Sequence, residues 1–206
     1  TKAINLSPDP QLYYNRGYAY QNNKMVDLAI ADFSRAISIN PQFKPAYVGR
    51  GNCYYSKKNI PLALKDYDQA ILMDPNAVNY YNRGNLNLYR KQYDAALEDF
   101  DRSIELNANY QHAYYSRALV FSALKDYDLA MDDYDHLLSL NAQYFNAYIN
   151  KAGIYTKKKE HESAIKELTK AITVAPNSLV AYNNRGLAYV STGAYELAVS
   201  DFKKAI

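Results

Sequence analysis

Apolar residues recur three and four apart along this chain, in segments of about fourteen residues separated by short polar turns. That spacing belongs to amphipathic helices joined as hairpins. The hairpins also repeat one another. The stretch Tyr13-Tyr14-Asn15-Arg16-Gly17 returns unchanged at Tyr80-Tyr81-Asn82-Arg83-Gly84 and nearly unchanged at Tyr182-Asn183-Asn184-Arg185-Gly186. The intervals of 67 and 102 residues point to a period of 34. Six units align, at 10–43, 44–76, 77–110, 111–144, 145–178 and 179–206; the second is one residue short and the sixth stops early. Residues 1–9 read as the end of a preceding unit, because Lys2 to Pro8 matches the close of a second helix.

Five columns define the unit. Position 4 is always tyrosine: Tyr13, Tyr47, Tyr80, Tyr114, Tyr148 and Tyr182. Position 8 is small (Gly17, Gly51, Gly84, Ala118, Ala152, Gly186), and position 20 is always alanine, from Ala29 to Ala198. Position 24 is large and apolar or aromatic: Phe33, Tyr67, Phe100, Tyr134, Leu168 and Phe202. Position 32 is proline or alanine: Pro41, Pro75, Ala108, Ala142 and Pro176. This pattern resembles the tetratricopeptide repeat family over nearly the whole chain, with tyrosine for the family's tryptophan at position 4 and a cation for its leucine at position 7. The resemblance implies an all-α solenoid, a right-handed superhelix of stacked antiparallel helix pairs forming one array, that serves as a protein–protein interaction scaffold.

Physical chemistry leads to the same fold. Glycine inside a helix costs about 1 kcal/mol relative to alanine, so its recurrence at position 8 calls for a close approach between helices. One hairpin cannot cover its own apolar face; stacked hairpins share a continuous core. Position 7 reads Arg16, Arg50, Arg83, Arg117, Lys151, Arg185, and position 23 reads Asp32, Asp66, Asp99, Asp133, Glu167, Asp201. The fifth unit changes both at once, which predicts an ion pair tying the two helices of each unit.

What the fold leaves over suggests a function. Fifteen of the 23 tyrosines fall at the core positions 4, 11, 17 and 24. Six others, Tyr14, Tyr18, Tyr55, Tyr81, Tyr89 and Tyr115, fall at positions that the resemblance places in a concave groove lined by the first helices. Exposed aromatics gathered on one face mark a recognition surface. Position 6 is asparagine in four units (Asn15, Asn82, Asn150, Asn184), although asparagine is a poor helix former. Its amide both donates and accepts, which suits the backbone of an extended peptide. Some relatives in the family grip peptide backbone with such a ladder, and Asn52, Asn85 and Asn183 would stand beside it. No lysine or arginine occupies the groove positions of the first four units, so a clamp for an acidic C-terminus is not expected.

Composition narrows the alternatives. A net charge of +3 does not demand nucleic acid, and no segment is long and apolar enough to span a membrane. The single cysteine, Cys53, rules out an internal disulfide framework and favours a reducing, cytoplasmic setting. His112, His136 and His161 occupy unrelated positions of their units, and no metal-ligand spacing, phosphate loop or nucleophile arrangement is present. No cofactor, metal or catalysis is therefore expected from these residues. Basic residues gather at the turn inside each unit: Lys24, Lys57, Lys58, Arg90, Lys91, Lys125 and Lys157 to Lys159. The expected partner is a protein or peptide. Self-association through open repeat ends, and an electrostatic adaptor using the basic rim, are the alternatives.

Overall fold

The computed structural model describes residues 9–206. The reading of Lys2 to Pro8 as the end of a preceding repeat lies outside the described residues. Twelve α-helices and no strand occur among the described residues. They are α1 (Pro10–Asn22), α2 (Val26–Ile39), α3 (Lys44–Ser56), α4 (Ile60–Met73), α5 (Ala77–Tyr89), α6 (Tyr93–Leu106), α7 (Gln111–Leu124), α8 (Tyr127–Leu140), α9 (Phe145–Lys157), α10 (His161–Val174), α11 (Leu179–Ser191) and α12 (Tyr195–Lys204). Two compact units are formed, one up to Ala113 and one from Tyr114 onward.

Each repeat is held by the columns read from the sequence. The alanines of position 20 are fully buried or nearly so. The position 8 glycine is pressed by the ring of position 24 rather than by a bare backbone: a Cβ on Gly84 would lie 2.7 Å from the Phe100 ring. The expected ion pairs form, with Arg16 on Asp32 at 2.6 Å, Arg50 on Asp66 at 2.8 Å, Arg83 on Asp99 at 2.7 Å, Arg117 on Asp133 at 2.6 Å and Arg185 on Asp201 at 2.7 Å. All of these aspartates are buried, so the arginines satisfy charges that would otherwise be costly inside the protein. The same guanidinium groups lie 5.6–5.7 Å from the position 4 tyrosine rings.

The position 7 cation also reaches backwards to position 25 of the preceding repeat. Arg50 donates to Ser34, Arg83 to Asp68 and Arg185 to Thr169, while Lys151 pairs with Asp135. Each such residue therefore ties its own helix pair and clips it to the one before.

Connections explain the remaining recurrent residues. Within repeats, the residue closing the first helix has positive φ five times as lysine (Lys24, Lys58, Lys91, Lys125, Lys159) and once as glycine, Gly193. Glycine is the residue that adopts this left-handed conformation freely. Between repeats, Asn40, Asn107 and Asn141 accept from the backbone N–H two residues on and so shape four-residue links. The link Asp74-Pro75-Asn76 is one residue shorter. There Asn79, at a column otherwise filled by alanine or leucine, donates to the carbonyls of Asp74 at 2.8 Å and Ala70 at 3.4 Å.

Candidate functional site

The tyrosines assigned to the groove divide into two kinds. Tyr14, Tyr81 and Tyr115, all at position 5, are half-buried. Each ring packs on the position 24 ring of its own repeat, with centroids 5.7 Å from Phe33, 6.2 Å from Phe100 and 6.2 Å from Tyr134. Each also packs on a ring at position 34, with Phe43 at 5.6 Å, Tyr110 at 5.3 Å and Tyr144 at 5.2 Å. Core packing therefore does account for much of these three side chains, contrary to the sequence reading. The signal was present in the sequence: an aromatic residue at position 34 occurs only where position 5 is tyrosine. Burial, and then the neighbouring Tyr18 phenol, push the Tyr14 phenol above its ordinary pKa.

Tyr18, Tyr55 and Tyr89 are the second kind. Tyr18 and Tyr89 are 54% and 51% exposed. Tyr18 stacks on Tyr14 at 6.4 Å, and Tyr55 meets Tyr89 edge-on at 5.8 Å. These two pairs, on first helices of the first compact unit, each join one exposed ring, Tyr18 or Tyr89, to one half-buried ring, Tyr14 or Tyr55.

The asparagines also differ among themselves. Asn15 is exposed and accepts from Gln11 at 2.8 Å, and Asn150 donates to the Tyr115 hydroxyl at 3.2 Å. Asn82 and Asn184 are half-buried. Beside the ladder, Asn52 accepts from the Tyr67 hydroxyl at 2.7 Å, and Asn85 donates to the Tyr81 carbonyl at 3.1 Å. Asn183 is exposed.

Two hollows lie on first-helix faces, one in each compact unit. In the first unit a cleft of about 710 Å³ opens over the second repeat. It is walled by Tyr14 and Tyr18 of α1 and by Val78 and Asn79 of α5, with Val48 and Asn52 of α3 between them. Its cause is local: position 5 is Val48 instead of tyrosine, and the shortened link removes the position 34 ring. In the second unit a smaller cavity, of about 330 Å³, lies among α9, α10 and α11 and includes Asn184. Among the described residues no group of three or more His, Cys, Asp or Glu side chains could hold a metal ion. None of the described helices is long and apolar enough to cross a membrane. Cys53 is buried, and burial pushes its thiol up to about 11.

The tetratricopeptide repeat family model matches residues 10–43, 45–77 and 77–110, and a second model of the same repeat matches 111–144, 145–178 and 179–206. The chain belongs to the tetratricopeptide repeat family. Repeats of this family mediate protein–protein interaction and are typically non-catalytic scaffolds. No curated protein matches the sequence. Among solved structures, the chain is similar to YrrB, described as a tetratricopeptide repeat protein with an unusual peptide-binding site. The two are 24% identical, with 87% of this chain and 94% of YrrB covered and a TM-score of 0.69. It is also similar to PilF of Pseudomonas aeruginosa, at 17% identity, 93% and 88% coverage and a TM-score of 0.82. A tetratricopeptide repeat protein from Parabacteroides merdae matches at 23% identity, 99% and 82% coverage and a TM-score of 0.75. At these identities the likeness is one of fold.

Proposed function

We propose that the first-helix face of this array binds an extended peptide segment of a protein partner. The cleft over the second repeat carries the reading: a concave, mixed apolar and amide surface, large enough for several side chains, where its neighbours have filled floors. The exposed rings of Tyr18 and Tyr89, each backed by a half-buried neighbour, Tyr14 or Tyr55, supply rigid contact area at low entropic cost. Asn15, Asn82, Asn150 and Asn184 hold the peptide backbone, with Asn82 and Asn184 the least committed to other partners. YrrB offers a precedent for peptide binding on this fold.

The test is calorimetric titration with peptides selected from a randomised array. Changing all four ladder asparagines to alanine is expected to weaken binding about tenfold to a hundredfold, each lost hydrogen bond contributing about 0.5–1.5 kcal/mol. Fold stability should hardly change. Quadruple variants that bind normally, or that unfold, would refute the ladder.

One observation favours a second reading, in which the turns meet an anionic partner. Five turns place lysine where the chain's own sixth turn uses glycine, and a left-handed lysine costs roughly 1 kcal/mol. Salt separates the readings: groove binding should be nearly insensitive to ionic strength, and rim binding should fall steeply.

A further inference from the structure

The fifth repeat departs from the other repeats at three positions that meet in one place. Position 24, a ring in every other repeat, is Leu168; position 9 is Gly153; and position 17, otherwise Val, Ile or Tyr, is His161. All three line the cavity of about 330 Å³ among α9, α10 and α11.

Gly153 is the unexplained residue. Every other helical glycine has an aromatic ring within 3.0 Å of where its Cβ would be, whereas a Cβ on Gly153 would meet nothing within 4 Å. Position 9 elsewhere carries Tyr18, Asn52, Asn85, Leu119 and Leu187, so the helix accepts large side chains there. A helix-weakening residue without a packing reason keeps the space over it open. His161 supplies an independent sign: its Nδ1 is buried with no hydrogen-bond partner among the described residues, and such atoms are uncommon in native proteins.

We propose that this cavity receives the side chain of a tyrosine from the bound peptide. Its ring would lie over Gly153 against Leu168 and Leu187, and its hydroxyl would pair with His161. The volume is about twice that of a protein cavity known to take benzene. The lining has no acidic residue to balance a cationic side chain. Its one formal cation, Lys157, is already turned to the Tyr127 ring at 5.7 Å. A turn of the His161 ring, whose Nδ1 is buried as it stands, would bring that unpartnered nitrogen to the hydroxyl and select a phenol over a plain ring.

This rests on the peptide-groove reading, but the probe is free p-cresol, so that the two stand or fall separately. Titrated into the full chain and followed by amide chemical shifts, p-cresol is expected to bind saturably with shifts centred on Gly153 and His161. Toluene should bind roughly tenfold more weakly. Gly153→Leu should abolish p-cresol binding while keeping or raising the melting temperature, and His161→Phe should remove the preference for p-cresol over toluene. Failure of p-cresol to bind the wild-type chain, or equal binding to Gly153→Leu, would overturn the pocket. So would a groove-binding peptide containing tyrosine whose affinity is untouched by Gly153→Leu, even with the asparagine ladder upheld.

Discussion

The third and fifth repeats share a template and fill it in opposite ways. In the third, Tyr81 covers Phe100 and Tyr110, Phe100 presses on Gly84, and Asp99 takes hydrogen bonds from both Arg83 and Asn87. In the fifth, Leu168 replaces the ring and Gly153 faces open space. Lys151 stands 3.8 Å from Glu167, whose Oε2 is buried without a partner among the described residues. The fold tolerates both because the alanines at position 20 and the outer turns are alike in each. Helix pairing therefore depends on a few small residues, while the ring and ion-pair columns can be adjusted repeat by repeat. A filled floor rigidifies; a hollow one leaves room for a ligand.

The largest expected difference concerns the ion pairs. Asp99→Ala takes from Asn87 its acceptor, leaves Arg83 with Asp68 alone and should cost about 3 kcal/mol, while Glu167→Ala, which removes a carboxylate whose Oε2 has no partner and leaves Lys151 paired with Asp135, should cost nearer 1 kcal/mol. Chemical denaturation measures both, and equal losses would erase the contrast. Next in size is a reversal of sign between two glycines. Gly84→Ala should destabilise by about 1–3 kcal/mol, because the new methyl meets the Phe100 ring. Gly153→Ala should stabilise by up to about 1 kcal/mol through helix propensity alone. If both substitutions moved the melting temperature the same way, the fifth repeat would not be hollow.

Alkali should act on the filled floors. Burial, with the Tyr81 phenol beside it, pushes Tyr110 up to about 12, and burial pushes Tyr134 to about 12 and Cys53 to about 11. The folded state holds these protons to higher pH than the unfolded chain, so the stabilisation is present below pH 9 and is lost as pH rises through 11 and 12. The melting temperature should fall over that interval, and Tyr110→Phe should lessen the fall. The smallest effect should be a shared one. Lys91→Gly and Lys159→Gly relax the same left-handed turn in the third and fifth repeats, and each should stabilise by roughly 0.5–1 kcal/mol. Unequal gains would show that the turns, too, differ.

The helices, the close packing at position 8 and the Arg–Asp pairs could be read from the sequence because each depends on residues a fixed distance apart in one repeat. The groove was less legible. Position 5 looked exposed on the helical period, yet Tyr14, Tyr81 and Tyr115 lean onto rings at position 34, in the connection that follows the second helix. Side-chain length and lean, which a periodic pattern does not encode, decided their burial. The two hollows arise from what is missing, a shortened link before Ala77 and a ring absent at Leu168. Columns reveal such absences only when the neighbours' contacts are known.

The backward clip from position 7 gives the array a polarity. Peeling a repeat away from its N-terminal neighbour leaves a cation on the C-terminal side without its second partner, as with Arg83 and Asp68 or Lys151 and Asp135. The side that leaves first carries away only a serine, threonine or exposed aspartate. An exposed charge returned to water loses little, whereas a half-buried guanidinium deprived of a partner loses more. Unravelling at these four junctions is therefore not symmetric: the cut weakens the repeat that follows it more than the one before.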